Sequence, residues 1–235
     1  MTELGTLVSA DLESASRVLL LPVGSTEQHG PHLPLDTDTR LASAVATAVA
    51  ERVEGCVVGP PIGIGSSGEH AGFAGTLSIG TKVLADVLVE VVRTAGPEFA
   101  RIVVVNGHGG NAYALRAAAA TCEAEGRALE VWSIRLPGAD AHAGRTETSL
   151  LLHLAPELVR WDAAAAGNTQ PLAEILPTMI ESGVREISAN GVLGDPAGAT
   201  AAEGAALFAT LVDDAVAQIA QGGRMDAPGV RRWSP

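Results

Sequence analysis

Two kinds of apolar run alternate along this chain, and that alternation constrains the fold more than any other feature. Short stretches rich in Val, Ile and Leu at residues 18–23, around Val57 and Val58, at 102–105 and at 129–134 have the length of strands. They are too continuously apolar to keep one face wet, which is the pattern of strands buried on both sides. Between them, residues 41–53, 83–94 and 112–124 combine good helix formers with apolar positions at helical spacing. Strand followed by helix, repeated, predicts an α/β class with a mostly parallel sheet covered on both faces. Helical character returns at 149–154 and 201–220, whereas 171–198 is richer in turn formers. With no internal repeat and no linker, residues 1–235 are expected to form a single domain. The tail at 222–235 is expected to be a poorly ordered end or a partner-binding arm.

Composition narrows the function classes. Acidic residues outnumber basic ones by 27 to 15, giving a net charge of −12, so a surface that wraps a phosphate backbone is not expected and nucleic acid is set aside. Hydrophobic residues make up 47% and charged residues 18%, which is too apolar for a disordered chain. No uninterrupted apolar run approaches the roughly 18 residues needed to span a bilayer, so no membrane partner is expected. The start, MTELGTLVSADLES, lacks the basic and apolar stretches of a secretory signal, and a cytoplasmic location follows as an expectation. Cys56 and Cys122 form no CxxC pair and read as small buried apolar groups.

The chemistry gathers in the connections that follow strands, which in such a sheet emerge at one edge. After the first strand comes STEQHGPHLPLDTDT, in which Glu27 and His29 are two apart and point the same way if the segment is extended. Pro31 and Pro34 stiffen this loop, and Asp36 and Asp38 arrive just before the next helix. Carboxylate and imidazole ligands on a rigid loop suit zinc, iron or manganese, although Asp36 or Asp38 could equally cap the helix. After the third strand comes NGHGGN, whose glycines beside His108 let backbone approach a ligand closely. A phosphate-cradling loop would need GxGxxG or a Walker lysine, and neither is present. After the fourth strand, DAHAGRTETS holds His142 and Glu147, and Thr146 or Glu147 could also serve as helix-start residues. A further loop, GIGSSGEHAGFAGTLSIG, contains Ser67, Glu69 and His70. Four histidines, at 29, 32, 108 and 142, lie in post-strand loops, while His153 falls within a helical run.

These motifs, STEQHGPHLPLDTDT, the GxxGTLS-like stretch ending at Ser78, VVVNGHGGN and HAGRTETSLLL, occur in the order and at about the spacing of the creatininase family, which this sequence resembles over residues 19–157. A longer match, through IGSSGEHAGF, AGNTQPLAE and GVLGDPAGATAAEG to about residue 208, resembles the family's mycofactocin-maturation peptidase branch. The resemblance implies a metal-dependent amidohydrolase on a three-layer α/β fold, assembled as a homo-oligomer, hexameric as in the family. Carried over, Glu27, His29, Asp38 and His108 match family metal ligands, with Asp38 bridging two divalent ions. Creatininase has a glutamate ligand two residues after the histidine matching His108, where this sequence has Gly110; Glu147 is the expected replacement. Creatininase also has a glutamate just before the histidine matching His142, where this sequence has Ala141, which counts against creatinine as substrate.

Four positive charges on two ions would meet three carboxylates, and a bridging hydroxide would bring the site to neutrality. That hydroxide is expected to attack the scissile amide, since a metal lowers the pKa of bound water from about 15.7 to about 7. Amides in the segment 107–110, Gly109 among them, are expected to help the oxyanion and bind substrate, with Ser67 and His70 on the pocket wall. His142 is the expected proton donor to the leaving amine. The branch resemblance implies a modified precursor peptide that gives up its C-terminal Val-Tyr unit during redox-cofactor biosynthesis. Hydrolysis of a small cyclic amide or formamide is the enzymatic alternative, and a metal-free scaffold subunit the non-enzymatic one.

Overall fold

Four short apolar runs pair side by side because none has a polar face to give to water. In the computed structural model, which describes residues 2–12, 17–96 and 98–221, they are β1 (Arg17–Val23), β2 (Cys56–Val58), β3 (Phe99–Asn106) and β4 (Glu130–Ser133). They form one sheet of order β2-β1-β3-β4, parallel throughout, with Leu19 opposite Val57 on one side and Ile102 on the other. The tail expected at 222–235 lies outside the described residues.

Successive side chains of a strand face opposite ways, so each strand feeds two cores. Leu20, Val103 and Val105 pack toward α1 (Thr37–Arg52), α4 (Arg145–Leu154) and α7 (Ala201–Ala220), meeting Leu41, Val45, Leu150 and Leu211. Leu19, Leu21 and Val104 pack the other way, toward Leu84 and Leu88 of α2 (Gly80–Thr94) and Leu115 of α3 (Ala112–Ala124). The result is helix, sheet and helix in three layers. Burying a leucine is worth roughly 1.5–3 kcal/mol, so these two faces dominate the stability. Cys56 and Cys122 are both buried and free.

Helix starts depart from the sequence reading in one direction. The spacing predicts helices from 41 and 149, whereas α1 begins at Thr37 and α4 at Arg145. The added first turns carry Asp38 and Glu147, polar residues that face the sheet edge and leave no trace in apolar periodicity. The turn-rich segment also holds α5 (Leu172–Ser182) and α6 (Val184–Ile187), whose Ile175 and Val184 form a small cluster with Leu193. Gly183, with φ near +83°, separates the two helices in a backbone conformation that favours glycine. Thr200 starts α7 by accepting the Glu203 N–H at 3.1 Å through Oγ1.

From β1 the chain steps outward to β2, and β3 then lies on the opposite side of β1. The direction in which successive strands are added therefore reverses between β1 and β3, and the crevice at the carboxyl ends of those strands is where ligands of such sheets bind.

Candidate metal centre

All four strands deliver side chains to this crevice. The loop after β1 and the first turn of α1 bring Glu27, Gln28, His29 and Asp38; the loop after β2 brings Ser67, Glu69 and His70; β3 is followed by His108, and β4 by His142 and Glu147. Close approach is possible because position 107 is glycine: a Cβ there would collide with the Asp38 carbonyl oxygen.

Asp38 is the centre of the arrangement. Its Oδ1 lies 3.1 Å from His29 Nε2, its Oδ2 lies 3.1 Å from His108 Nδ1, and Ser25 Oγ donates to Oδ2 at 2.7 Å. No side-chain cap of α1 forms, and Asp36 instead accepts from Arg40 Nε at 2.7 Å. The capping role open to either aspartate in the sequence is therefore taken by neither.

Two groups able to hold a cation share Asp38: Glu27, Asp38 and His108, and His29, Asp38 and Glu147; a third joins Glu27, His29 and His142. Glu147 Oε2 sits 3.9 Å from His29 Nε2 and accepts the Ala143 N–H at 2.6 Å. Ala143, with φ near +51°, is held in the left-handed region that costs an alanine energy, and it lies next to the histidine at 142.

Glu27 is fully buried, and neither of its carboxylate oxygens has a hydrogen bond of acceptable geometry. His70 Nε2 and His108 Nε2 each lie 3.2 Å from one of those oxygens without pointing a proton at it. A buried carboxylate left in this state costs several kcal/mol, so a cation among these oxygens and imidazoles fits the donor set.

The protonation states carry the same message. Burial pushes Glu27 up to about 7, with His108 and His29 pulling against it, and burial pushes Glu147 up to about 7 against the pull of His29. Burial alone would lower His29, but the Asp38 charge and hydrogen bond reverse that and raise it to about 10. Burial would likewise raise Asp38, yet the two imidazoles beside it hold it well below the usual carboxylate range. Without a cation, the site is neutralised by protons.

The expected site residues meet unequally. Glu27, His29, Asp38, His108, His142 and Glu147 converge. His70, expected on the pocket wall, is closer to the centre: Nε2 faces Glu27 and Nδ1 receives the Gln28 side-chain amide at 2.8 Å. Ser67 is buried with Oγ 3.5 Å from His108 Nε2, and Gly109 is exposed with open space where a Cβ would stand. His32, one of the four loop histidines, does not join the cluster; its Nε2 pairs with Thr148 Oγ1 at 2.9 Å.

Two contributors carry no signal that loop position and residue type could have separated from background. Gln28 places its amide nitrogen 2.8 Å from His70, 3.1 Å from His142 and 3.0 Å from the Gly191 carbonyl. Glu69 reaches within 3.4 Å of His108 Nε2 and fills the room a side chain at Gly110 would need. Glu147, the expected stand-in for a ligand at 110, approaches from the opposite side, against His29 and Asp38.

With this geometry in hand, the comparisons are specific. The creatininase model, described as creatinine amidohydrolase, matches residues 6–219. The mycofactocin precursor peptide peptidase of Mycobacterium ulcerans (strain Agy99) is 52% identical over 241 residues, covering 99% of this chain and 92% of that protein. A crystal structure of creatinine amidohydrolase (creatininase) superposes with a TM-score of 0.77 at 25% identity, over 94% of this chain and 97% of that one. Another solved structure, described as creatininase Mn, gives 0.72 at 25% identity over 94% and 98%. This chain belongs to the creatininase family.

Proposed function

We propose that residues 1–235 form one metal-dependent peptidase domain that releases the modified C-terminal Val-Tyr unit of the mycofactocin precursor peptide. The observation that carries the chemistry is the sharing of Asp38 between two ligand groups. The observation that carries the substrate is 52% identity over nearly the whole chain to a protein named for that peptide.

In this reading Glu27, Asp38 and His108 would hold one divalent ion, and His29, Asp38 and Glu147 would hold a second, both groups drawing on Asp38. Zinc, iron or manganese all suit these nitrogen and oxygen donors. What such ions supply when bound is polarisation of an amide carbonyl and a water acidic enough to ionise near neutral pH. The chain's own groups do the rest. His142 gives its Nε2–H to the Gln28 carbonyl at 2.8 Å, which leaves Nδ1 toward the crevice, 3.9 Å from Glu27 Oε1. Burial, with His29 and His70 nearby, holds His142 well below its ordinary value, so the ring is neutral at pH 7. It can therefore take up at Nδ1 the proton that the attacking water gives up and pass it to the departing amine nitrogen, acting first as base and then as acid. Gly109 offers unobstructed backbone to the peptide, and Ser67 closes the wall behind His108.

Among the described residues no helix is long and apolar enough to cross a membrane, which supports a cytoplasmic enzyme. Leu77, Val83, Val87 and Tyr113 are large exposed side chains that further copies of the chain would cover, which supports a homo-oligomer, hexameric on the family pattern.

The test is to give the zinc-, iron- or manganese-loaded protein the modified precursor peptide and creatinine in parallel and to follow both by mass spectrometry. Release of the C-terminal unit from the peptide alone is expected. Turnover of creatinine but not peptide overturns the substrate, and full peptide activity in the Asp38→Ala variant overturns the metal mechanism.

A further inference from the structure

The lack of a side chain at Gly110 has a consequence for His108. A Cβ at that position would collide with Glu69 Oε1 and His108 Nε2 and would stand 2.6 Å from the Ser66 carbonyl oxygen. These three atoms meet where that Cβ would be. His108 Nε2 lies 3.1 Å from the Ser66 carbonyl and 3.4 Å from Glu69 Oε1, while Nδ1 on the other side of the ring faces Asp38 Oδ2 at 3.1 Å.

A backbone carbonyl can only accept, so Nε2 carries the proton that it receives. Of the carbonyl and carboxylate oxygens near Nε2 only the Ser66 carbonyl takes a hydrogen bond; Glu27 Oε2, at 3.2 Å, belongs to a cation-holding group, which leaves the Glu69 carboxylate, at 3.4 Å, as the free negative charge beside that N–H. A neutral imidazole with its proton on Nε2 has its lone pair on Nδ1, beside Asp38. An imidazole that ligates through one nitrogen usually gives the other N–H to a carboxylate or carbonyl, which sets the tautomer and the basicity of the ligating atom.

Resting on the metal reading above, we propose that Glu69 is a positioning residue: together with the Ser66 carbonyl, and admitted by Gly110, its carboxylate holds His108 in the Nε2–H tautomer so that Nδ1 is the ligating atom. The carboxylate reaches the ring from the loop after β2, at the start of the short turn Gly68–His70, and its side chain is 23% exposed, so the contact forms at the rim of the crevice. Glu69 belongs to none of the three cation-holding groups. It acts through His108.

The experiment compares wild type, Glu69→Gln and Glu69→Ala by zinc titration against a competing chelator and by long-range proton–nitrogen correlation spectra of the His108 ring in the zinc-loaded protein. The wild type is expected to bind zinc with the ring proton on Nε2. Glu69→Ala is expected to bind about 10–100-fold more weakly, with the His108 nitrogen signals displaced, and Glu69→Gln, which keeps an acceptor oxygen, to recover part of both. Thermal unfolding of the two variants within a few degrees of wild type separates this from a folding defect. Wild-type spectra with the proton on Nδ1, or affinities no more than about twofold apart with unchanged ring signals, overturn the role of Glu69. Wild type that takes up no zinc overturns the metal reading itself and this role with it.

Discussion

His29 and Asp38, nine residues apart, face each other at 3.1 Å between Nε2 and Oδ1, both out of contact with water. A loop stiffened by Pro31 and Pro34 carries the chain from one to the other, and the first turn of α1 fixes the aspartate. Because the other Asp38 oxygen faces His108, removing this carboxylate dismantles both cation groups together. Asp38→Asn is expected to lose both ions and to lower peptide cleavage by more than the ~10–100-fold typical of an outer-shell change. Metal analysis of the purified variant and a cleavage assay check this; a full metal complement would contradict it.

Glu147 belongs to one of the two Asp38-sharing groups, so its effect should be half as broad. Glu147→Gln keeps an acceptor for the Ala143 N–H and therefore the local fold, but it removes the charge facing His29. The expected result is loss of one of the two ions with the other retained. Metal content after dialysis against buffered free zinc measures it, and an unchanged stoichiometry counts against Glu147 as a ligand.

Metal affinity should rise with pH. In the ion-free protein Glu27 and Glu147 hold protons up to about 7 and His29 up to about 10, and each must lose its proton to ligate. At low pH a cation competes with those protons; as pH climbs through 7 the two carboxyls surrender theirs beforehand, and binding strengthens. Between about pH 6 and pH 8 zinc affinity is expected to increase, with protons released on binding. Calorimetry in two buffers of different ionisation enthalpy counts those protons, and a heat independent of buffer would refute the scheme.

Gln28 gives its two side-chain amide protons to His70 Nδ1 at 2.8 Å and to the Gly191 carbonyl at 3.0 Å, while its Oε1 accepts the Gly30 N–H at 2.8 Å. Gln28→Ala strands several buried polar groups, and each unsatisfied one costs about 1–3 kcal/mol. Urea unfolding should show destabilisation of that order, together with reduced cleavage because His70, which faces Glu27, loses the donor that fixes its ring. Unaltered stability would mean water replaces the amide.

Leu88 provides the control. It is fully buried in the α2–α3 layer, among none of the crevice residues. Leu88→Ala is expected to cost about 2–5 kcal/mol of stability while metal content and cleavage per folded molecule stay unchanged. Loss of metal in this variant would show that the crevice depends on distant packing.

The layered α/β architecture was legible in the sequence because burial on both faces writes itself locally. Leu19, Leu20 and Leu21 are apolar in succession precisely where both cores need them, so the strand reads as a continuous run. The polar loop residues were legible by type and by their position after strands. Apolar spacing did not reveal that α1 and α4 begin one turn early, since the residues of those turns serve the crevice and not the core.

What residues 27, 29, 38, 108, 142 and 147 determined by themselves was an inventory of donors suited to a hard or borderline cation. Only the tertiary structure decided which donors meet. His70 joined the cluster and His32 did not, although both follow strands, because the order β2-β1-β3-β4 brings the loop after β2 against β1 and turns His32 toward Thr148. Glu69 reached His108 only because two loops distant in the chain close over a missing side chain at Gly110. Strand order and close approach are non-local, and no periodicity in a loop records them.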